Sequence, residues 1–233
     1  MGNALDNDFG AKAMVIPFAN VGQADKSFKL ADIKPVVAGD NVSESDLINA
    51  ISFQRLDNSG YTIDGSDRFW DGTKWTTFNG EDKSNETYAP GAGLWVYNAS
   101  YNPSTFECGA VNLQSSGKVI EENVIVDLDN DFGAVFIGNP FPVAIKISSI
   151  IPYVTEGSVA ANTISFQKLD NSGYTVTDSD RFWDGSKWTT FAGADMSNDT
   201  LAAGESVWIY NTNYDSTTFE CIPGKVRFVA PTF

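Results

Sequence analysis

Histidine is missing from all 233 residues of this chain. Its absence removes Ser-His-Asp and Cys-His nucleophile arrangements and nearly every familiar zinc site, so few enzyme mechanisms stay open. Basic residues are scarce: 15 Lys and Arg face 30 Asp and Glu, for a net charge of −15 and a pI near 4.2. Such a field repels phosphate backbones and anionic membrane surfaces, which excludes nucleic acid as a partner. No apolar run approaches the roughly 18 residues that a bilayer-spanning helix needs, so membrane insertion is not expected. Helical periodicity is absent too. A single short turn of helix is expected at Ser43–Ala50, where Ser43 and Asp46 offer capping chemistry.

What is present is apolar and aromatic. Hydrophobic residues make up 42% of the chain, and 16 Phe, 8 Tyr and 6 Trp supply the bulk of a core. Each ring, fully buried, removes roughly 150–250 Å² from water. Met1–Asp6 has neither the basic start nor the apolar stretch of a secretory leader. An acidic β protein rich in aromatics, Asn, Ser, Thr and Gly nevertheless reads as extracellular or cell-surface, with Met-Gly standing in for a removed leader.

The strongest signal is internal repetition. Ile51-Ser-Phe-Gln-Arg-Leu-Asp-Asn-Ser-Gly-Tyr-Thr62 recurs as Ile164-Ser-Phe-Gln-Lys-Leu-Asp-Asn-Ser-Gly-Tyr-Thr175, and the match runs without a gap to Cys108 and Cys221 at an offset of 113. Upstream, Asp6–Ala11 recurs as Asp129–Ala134, and Pro17-Phe18 as Pro140-Phe141, at an offset of 123. The first copy therefore carries about ten extra residues, placed around Gln23 to Ser45, where a loop insertion costs little. Gly117-Lys-Val119 and Gly224-Lys-Val226 read as matching ends. Two β modules follow, residues 1–115 and 116–233.

Alternation with a period of two at Ile51, Phe53 and their neighbours predicts strands with one buried face. Leu56–Gly60 supplies a turn, making a hairpin of Ile51–Leu56 with Tyr61–Ile63, repeated as Ile164–Leu169 with Tyr174–Val176. A second hairpin spans Arg68–Phe78 with Asp71-Gly72 at its tip, and Arg181–Phe191 repeats it. Strands follow at Leu94–Tyr97 and Val207–Tyr210, then at Thr105–Cys108 and Thr218–Cys221. Between the copies, Val119–Leu128 and Ala134–Ile137 read as strands, with Gly138–Pro142 as a turn whose prolines cannot donate to a ladder. The fold class is all-β: two tandem, similar antiparallel sandwich or barrel modules, packed together or strung as beads. Gly117–Leu128 is the swing element, able to close the first module or open the second.

The order Gly138–Pro142, Ile164–Gln167, Trp183–Trp188 and Ala202–Asn211 resembles uncharacterised repeated β-modules of secreted bacterial surface proteins. The first copy departs from it, with Val15-Ile-Pro-Phe-Ala19 where the second has Ile137-Gly-Asn-Pro-Phe-Pro142. The resemblance implies secretion and β architecture, and no activity.

Trp70, Trp75 and Trp95, with their twins Trp183, Trp188 and Trp208, have two readings. Tryptophan packs β cores, and it also stacks on the apolar faces of sugars. Within the second reading, Trp70, Asp71 and Trp75, with Trp183, Asp184 and Trp188, are the candidate glycan-binding residues, the Trp70/Trp75 pair being expected nearer solvent. A groove beside Asp71 or Asp184 is required.

Asp127, Asp129 and Asp131 sit at alternate positions before Gly133, which partly imitates a calcium loop. The glycine comes one residue late, no bidentate Glu follows, and Ala4 stands where Asp127 has its twin. Alternating Asp on a solvated strand leading into a turn is the plainer account. No cofactor is called for. Asp57, Asp67, Asp71, Asp82 and Glu107 all recur, yet no pair stands out as the two unlike carboxylates of a glycosidase. Cys108 and Cys221 share a strand face with Phe106 and Phe219, which favours burial. They are separate thiols or a bridge across a pseudo-twofold axis. Asn-x-Ser/Thr triplets stand at Asn41, Asn85, Asn98 and Asn198.

The function expected is a non-catalytic structural or adhesive module, with few exposed aromatics and no deep pocket. Carbohydrate binding through the Trp-bearing hairpins is the alternative, and a hydrolase with paired carboxylates a residual one. The partners left open are a glycan, another surface protein, or further copies of this chain meeting through exposed strand edges.

Overall fold

A computed structural model describes residues 2–5, 11–19, 27–55, 63–100, 104, 107–128, 134–154, 159–169 and 175–233. The first half comprises β1 (Gly2–Ala4), β2 (Ala11–Val15), β3 (Phe28–Lys29), β4 (Ile33–Val37), β5 (Ile51–Arg55), β6 (Arg68–Trp70), β7 (Trp75–Thr76), β8 (Thr87–Tyr88), β9 (Gly93–Asn98) and β10 (Val111–Ser115). The second comprises β11 (Val124–Asp127), β12 (Ala134–Gly138), β13 (Ile145–Lys146), β14 (Ile150–Val154), β15 (Ile164–Lys168), β16 (Arg181–Trp183), β17 (Trp188–Thr189), β18 (Thr200–Leu201), β19 (Ser206–Asn211) and β20 (Gly224–Phe228).

The protein is all-β, and every strand pair is antiparallel. A five-stranded sheet in the order β2-β9-β5-β6-β7, a three-stranded sheet β1-β10-β4 and the pair β3-β8 build the first half. The second half has β12-β19-β15-β16-β17, β11-β20-β14 and β13-β18. All of these sheets are open, so the barrel alternative falls. Among the described residues no helix is long and apolar enough to cross a membrane.

In each half the core lies between the five-stranded and three-stranded sheets. Phe53, Leu94, Val96 and Trp75 meet Ile33, Val111 and Leu113 in the first, and Phe166, Val207, Ile209 and Trp188 meet Ile150, Val226 and Phe228 in the second. Alternation decides which residues take part: β9 buries Leu94, Val96 and Asn98 and turns Trp95 and Tyr97 to the other face. β4 and β14 are edge strands, and each carries a proline, Pro35 and Pro152, that blunts the edge against further pairing.

Several sequence expectations are corrected. The Gly-Lys-Val words are not equivalent: Gly224–Val226 begins β20, whose counterpart is Val111–Leu113 of β10, whereas Gly117–Val119 lies in the connection. A three-residue word carries no register, and pairing to β4 and β14 sets it. The strand expected at Val119–Leu128 shrinks to Val124–Asp127, which belongs to the second half's three-stranded sheet. The strand expected at Thr218–Cys221 reduces to an isolated bridge, Tyr214 to Cys221, while that expected at Thr105–Cys108 lies partly outside the described residues, with Cys108 likewise in an isolated bridge. Phe219 there has φ of 60° and is exposed, so it shares no face with Cys221. The hairpin after β15 is closed by the Leu169–Thr175 bridge. Its equivalent after β5 lies mostly outside the described residues, but the Ile63 amide bonds the Arg55 carbonyl at 3.0 Å. The expected helical turn is a 3-10 turn at Glu44–Leu47, held by the Ser43 amide and hydroxyl donating to Asp46 Oδ2 at 2.7 Å each. Corresponding strands also divide the extra residues: the offset falls from 123 at β2 to 117 at β3 and β4 and 113 at β5.

Candidate functional site

The tryptophans of the hairpins do not reach solvent. Trp75 and Trp188 are 0% exposed, and Trp70 and Trp183 are 5% and 7% exposed. Trp70 and Trp75 are cross-strand partners that point inward together, their rings edge-on at 5.5 Å, as are those of Trp183 and Trp188. Trp75 Nε1 donates to the Ile33 carbonyl at 2.9 Å and Trp188 Nε1 to that of Ile150 at 2.6 Å, each tying the five-stranded sheet to the three-stranded one. The expectation that this pair lies nearer solvent is therefore reversed. Half-exposed Trp95 and Trp208 are the outer tryptophans.

Asp71 and Asp184 shape the hairpin tips instead of lining a groove. Asp71 Oδ1 accepts from the Thr73 and Lys74 amides, and Asp184 Oδ1 from those of Ser186 and Lys187, all at 2.8 Å. At Asp71 partial desolvation pushes the pKa up, but the bonds from Thr73 and Lys74 outweigh it and hold the carboxyl below its ordinary value. Asp184 is lowered chiefly by the Lys187 and Ser186 amides. Asp127 is exposed and forms an ion pair with Lys225. Asp129 and Asp131 lie outside the described residues.

Sequence reasoning missed the outer face of the five-stranded sheets. Tyr97 Oη donates to Gln54 Oε1 at 3.0 Å, and Gln54 Nε2 donates to Asp67 Oδ1 at 2.5 Å. The same array stands in the second half, Tyr210 to Gln167 at 3.0 Å and Gln167 to Asp180 at 2.6 Å. Gln54 is the cross-strand partner of Trp95, and Gln167 of Trp208, so each array adjoins an indole. Farther out, Phe69 packs edge-on against Phe78 and Phe182 against Phe191, leaving Phe78 86% and Phe191 87% exposed. The expectation of few exposed aromatics fails at this twin position. A type of loop chemistry readable in the sequence, Thr-Phe-x-Gly, places these rings: Gly80 (φ 81°) and Gly193 (φ 84°) close the turns that expose them.

The two faces meet. Phe136 of β12 lies between Trp95 and Trp208, with centroid distances of 5.8 and 5.3 Å. Around it the halves exchange backbone bonds: the Val15 amide donates to the Gly204 carbonyl at 3.1 Å, and the Gly138 amide to that of Gly91 at 3.3 Å. These bonds join corresponding residues in opposite directions, which is pseudo-twofold pairing. Ala19 and Lys118 bond each other at 2.9 and 2.7 Å, and Ala19 and Ile120 enter the second half's core. The halves are packed, not strung as beads.

A cleft of roughly 380 Å³ opens beside this junction, lined on one side by Arg55, Pro90, Ala92 and Gly93 and on the other by β11 and the Val135–Ile137 part of β12. Cys108 and Cys221 are both buried and form no disulfide, their thiols donating to the Asn98 and Asn211 carbonyls. Of the Asn-x-Ser/Thr sites, Asn98 is 1% exposed and serves the core, whereas Asn85 and Asn198 face solvent. Compared with known proteins, the chain matches no family model, no curated protein and no solved structure.

Proposed function

We propose that this chain is a non-catalytic β-module of a secreted or cell-surface protein, a structural or adhesive building block that presents two equivalent polar-aromatic faces on one body. The observation that carries this reading is the repeated Tyr–Gln–Asp array. Tyr97, Gln54 and Asp67, like Tyr210, Gln167 and Asp180, are joined outside the core, and their hydrogen-bond lengths agree within 0.1 Å between the halves. Arrays that do not serve the core and stand twice on one body suit bivalent attachment. The shifted carboxylates also support it. Asp46, Asp71, Asp82, Glu86, Asp184, Asp195 and Asp215 are all held below their ordinary values, opposite to what a general acid needs.

Beads coated with the protein, tested for retention on polysaccharide- and protein-coated surfaces, check this reading. Gln54→Ala should weaken retention, and Gln54→Ala with Gln167→Ala should abolish it. Retention unchanged by the double variant, or turnover of a glycoside, ester or peptide substrate, overturns it.

Carbohydrate is the second reading, favoured because an indole beside an amide and a carboxylate offers an apolar platform and paired hydrogen-bond groups together. Its residues are Trp95, Gln54 and Asp67 with Trp208, Gln167 and Asp180, in place of the buried hairpin tryptophans. A glycan array probed with the wild type and a Trp95→Ala/Trp208→Ala variant tests it; an empty wild-type array sinks it.

A further inference from the structure

The junction cleft holds a cation whose sequence twin forms an ion pair and which, among the described residues, has no carboxylate partner of its own. In the second half Lys168 Nζ lies 3.3 Å from Glu205 Oε1 and donates to the Thr200 carbonyl at 2.5 Å. At an offset of 113, Arg55 stands where Lys168 does and Ala92 where Glu205 does. The cation is kept and its counter-ion is gone. Among the described residues no carboxylate lies within ion-pair distance of Arg55, and its guanidinium sits 4.9 Å over the Tyr88 ring. Leu201 occupies the Tyr88 position in the other half, so this stacking partner too is peculiar to the first.

A guanidinium resting on an aromatic face keeps its N–H fork at the ring's edge, placed to donate two parallel bonds to a planar carboxylate. The surroundings fit such a ligand's remainder. Ala89, Pro90, Val135, Phe136 and Ile137 line the same cleft and offer apolar surface. The acid on the far wall, Asp127, is engaged by Lys225. A volume of roughly 380 Å³ falls at the small end of small-molecule sites.

We infer that the cleft between the halves binds a small monocarboxylate with an apolar body, its carboxylate on Arg55 and its body against Pro90, Val135 and Phe136. This site shares no residue with the Tyr–Gln–Asp arrays, although Phe136 also touches the indoles beside them, and its ligand takes the place that the Glu205 carboxylate fills in the other half.

The test is titration of the full chain with 3-phenylpropionate, followed by NMR or calorimetry, alongside its amide and a blocked dipeptide ending in free phenylalanine. The acid should bind saturably, with the amide weaker by about tenfold or more, the loss of one charge-assisted pair. Arg55→Ala should remove binding. Ala92→Glu should remove it as well, by supplying an internal carboxylate, while leaving the melting temperature equal or higher. Because Glu205 already occupies the equivalent turn, Ala92→Glu keeps the test valid if Arg55→Ala fails to fold. Equal binding of acid and amide, binding retained by folded Ala92→Glu, no saturable binding of the acid, or binding by the dipeptide alone would each overturn the inference.

Discussion

Phe136 lies so close over Gly93 that a Cβ at residue 93 would come within 1.8 Å of the ring Cδ1 and 2.3 Å of Cε1. At the corresponding positions the chain has Ala13 for Phe136 and Ser206 for Gly93. The large ring of one half is thus matched by a missing side chain in the other, and the junction is sterically keyed although its backbone bonding is symmetric.

Gly93→Ser should therefore destabilise the protein by about 1–3 kcal/mol through overpacking, even though serine occupies the twin site. Phe136→Ala alone should cost more, about 3–5 kcal/mol. In the double variant the ring that serine strikes is gone, so the two losses should sum to less than their parts. Urea midpoints for the four proteins give the coupling.

Tryptophan emission should be mostly blue-shifted, with a small quenchable fraction. That fraction belongs to half-exposed Trp95 and Trp208, while Trp70, Trp75, Trp183 and Trp188 are buried. Acrylamide quenching should disappear almost entirely in a Trp95→Phe/Trp208→Phe variant; persistence would place other indoles in solvent.

Acid should weaken the protein between about pH 4 and pH 2. Asp82 is held down to about 2 by bonds from the Ser84 amide and hydroxyl and from Lys74, and Asp195 to about 2 by Ser197 and Lys187. A folded-state pKa below the unfolded value means the stabilisation is complete above the unfolded pKa and is lost as pH falls through the folded one. Melting temperatures measured across this range should fall less steeply for Asp82→Asn/Asp195→Asn than for the wild type.

Both cysteines should resist a thiol reagent until the chain unfolds. Cys108 is 2% exposed and Cys221 7%, and neither is bridged. Intact mass should be identical with and without reductant, and two equivalents of label should appear only in denaturant.

Asn98→Ala should cost roughly 2–4 kcal/mol, because several buried partners lose their bonds at once. Its Nδ2 donates to the Gly109 carbonyl at 2.9 Å, and its Oδ1 accepts from the Ser100 amide at 3.1 Å and hydroxyl at 2.6 Å. Thermal unfolding measures the loss, and Asn211→Ala offers the matched experiment in the second half.

The all-β class, the Trp70–Trp75 hairpin and the buried stripe Ile51, Phe53, Leu94 and Val96 were legible because they rest on local rules: turn residues and a period of two. The candidate site was not. Alternation on β5 and β9 distinguishes two faces, but it cannot say which is covered. Nearness to a tip marks Trp70 and Trp75 as the tryptophans closer to solvent; their pairing instead turns both rings inward together. The Tyr97–Gln54–Asp67 array joins β9, β5 and the residue before β6, a proximity that exists only once the sheet is assembled.

By itself the sequence determined that the chain is all-β, where the Trp-bearing hairpins turn, which residues of the central strands alternate toward a core, and that no histidine chemistry is available, since each depends on residue type or on neighbours along the chain. Tertiary structure alone decided that Val124–Asp127 serves the second half, that the halves lock through Phe136 and Gly93, and that Arg55 faces a cleft with Ala92 in place of the glutamate that serves its twin. Those outcomes depend on which surfaces come together across more than forty intervening residues, where packing and backbone pairing, not local preference, carry the free energy.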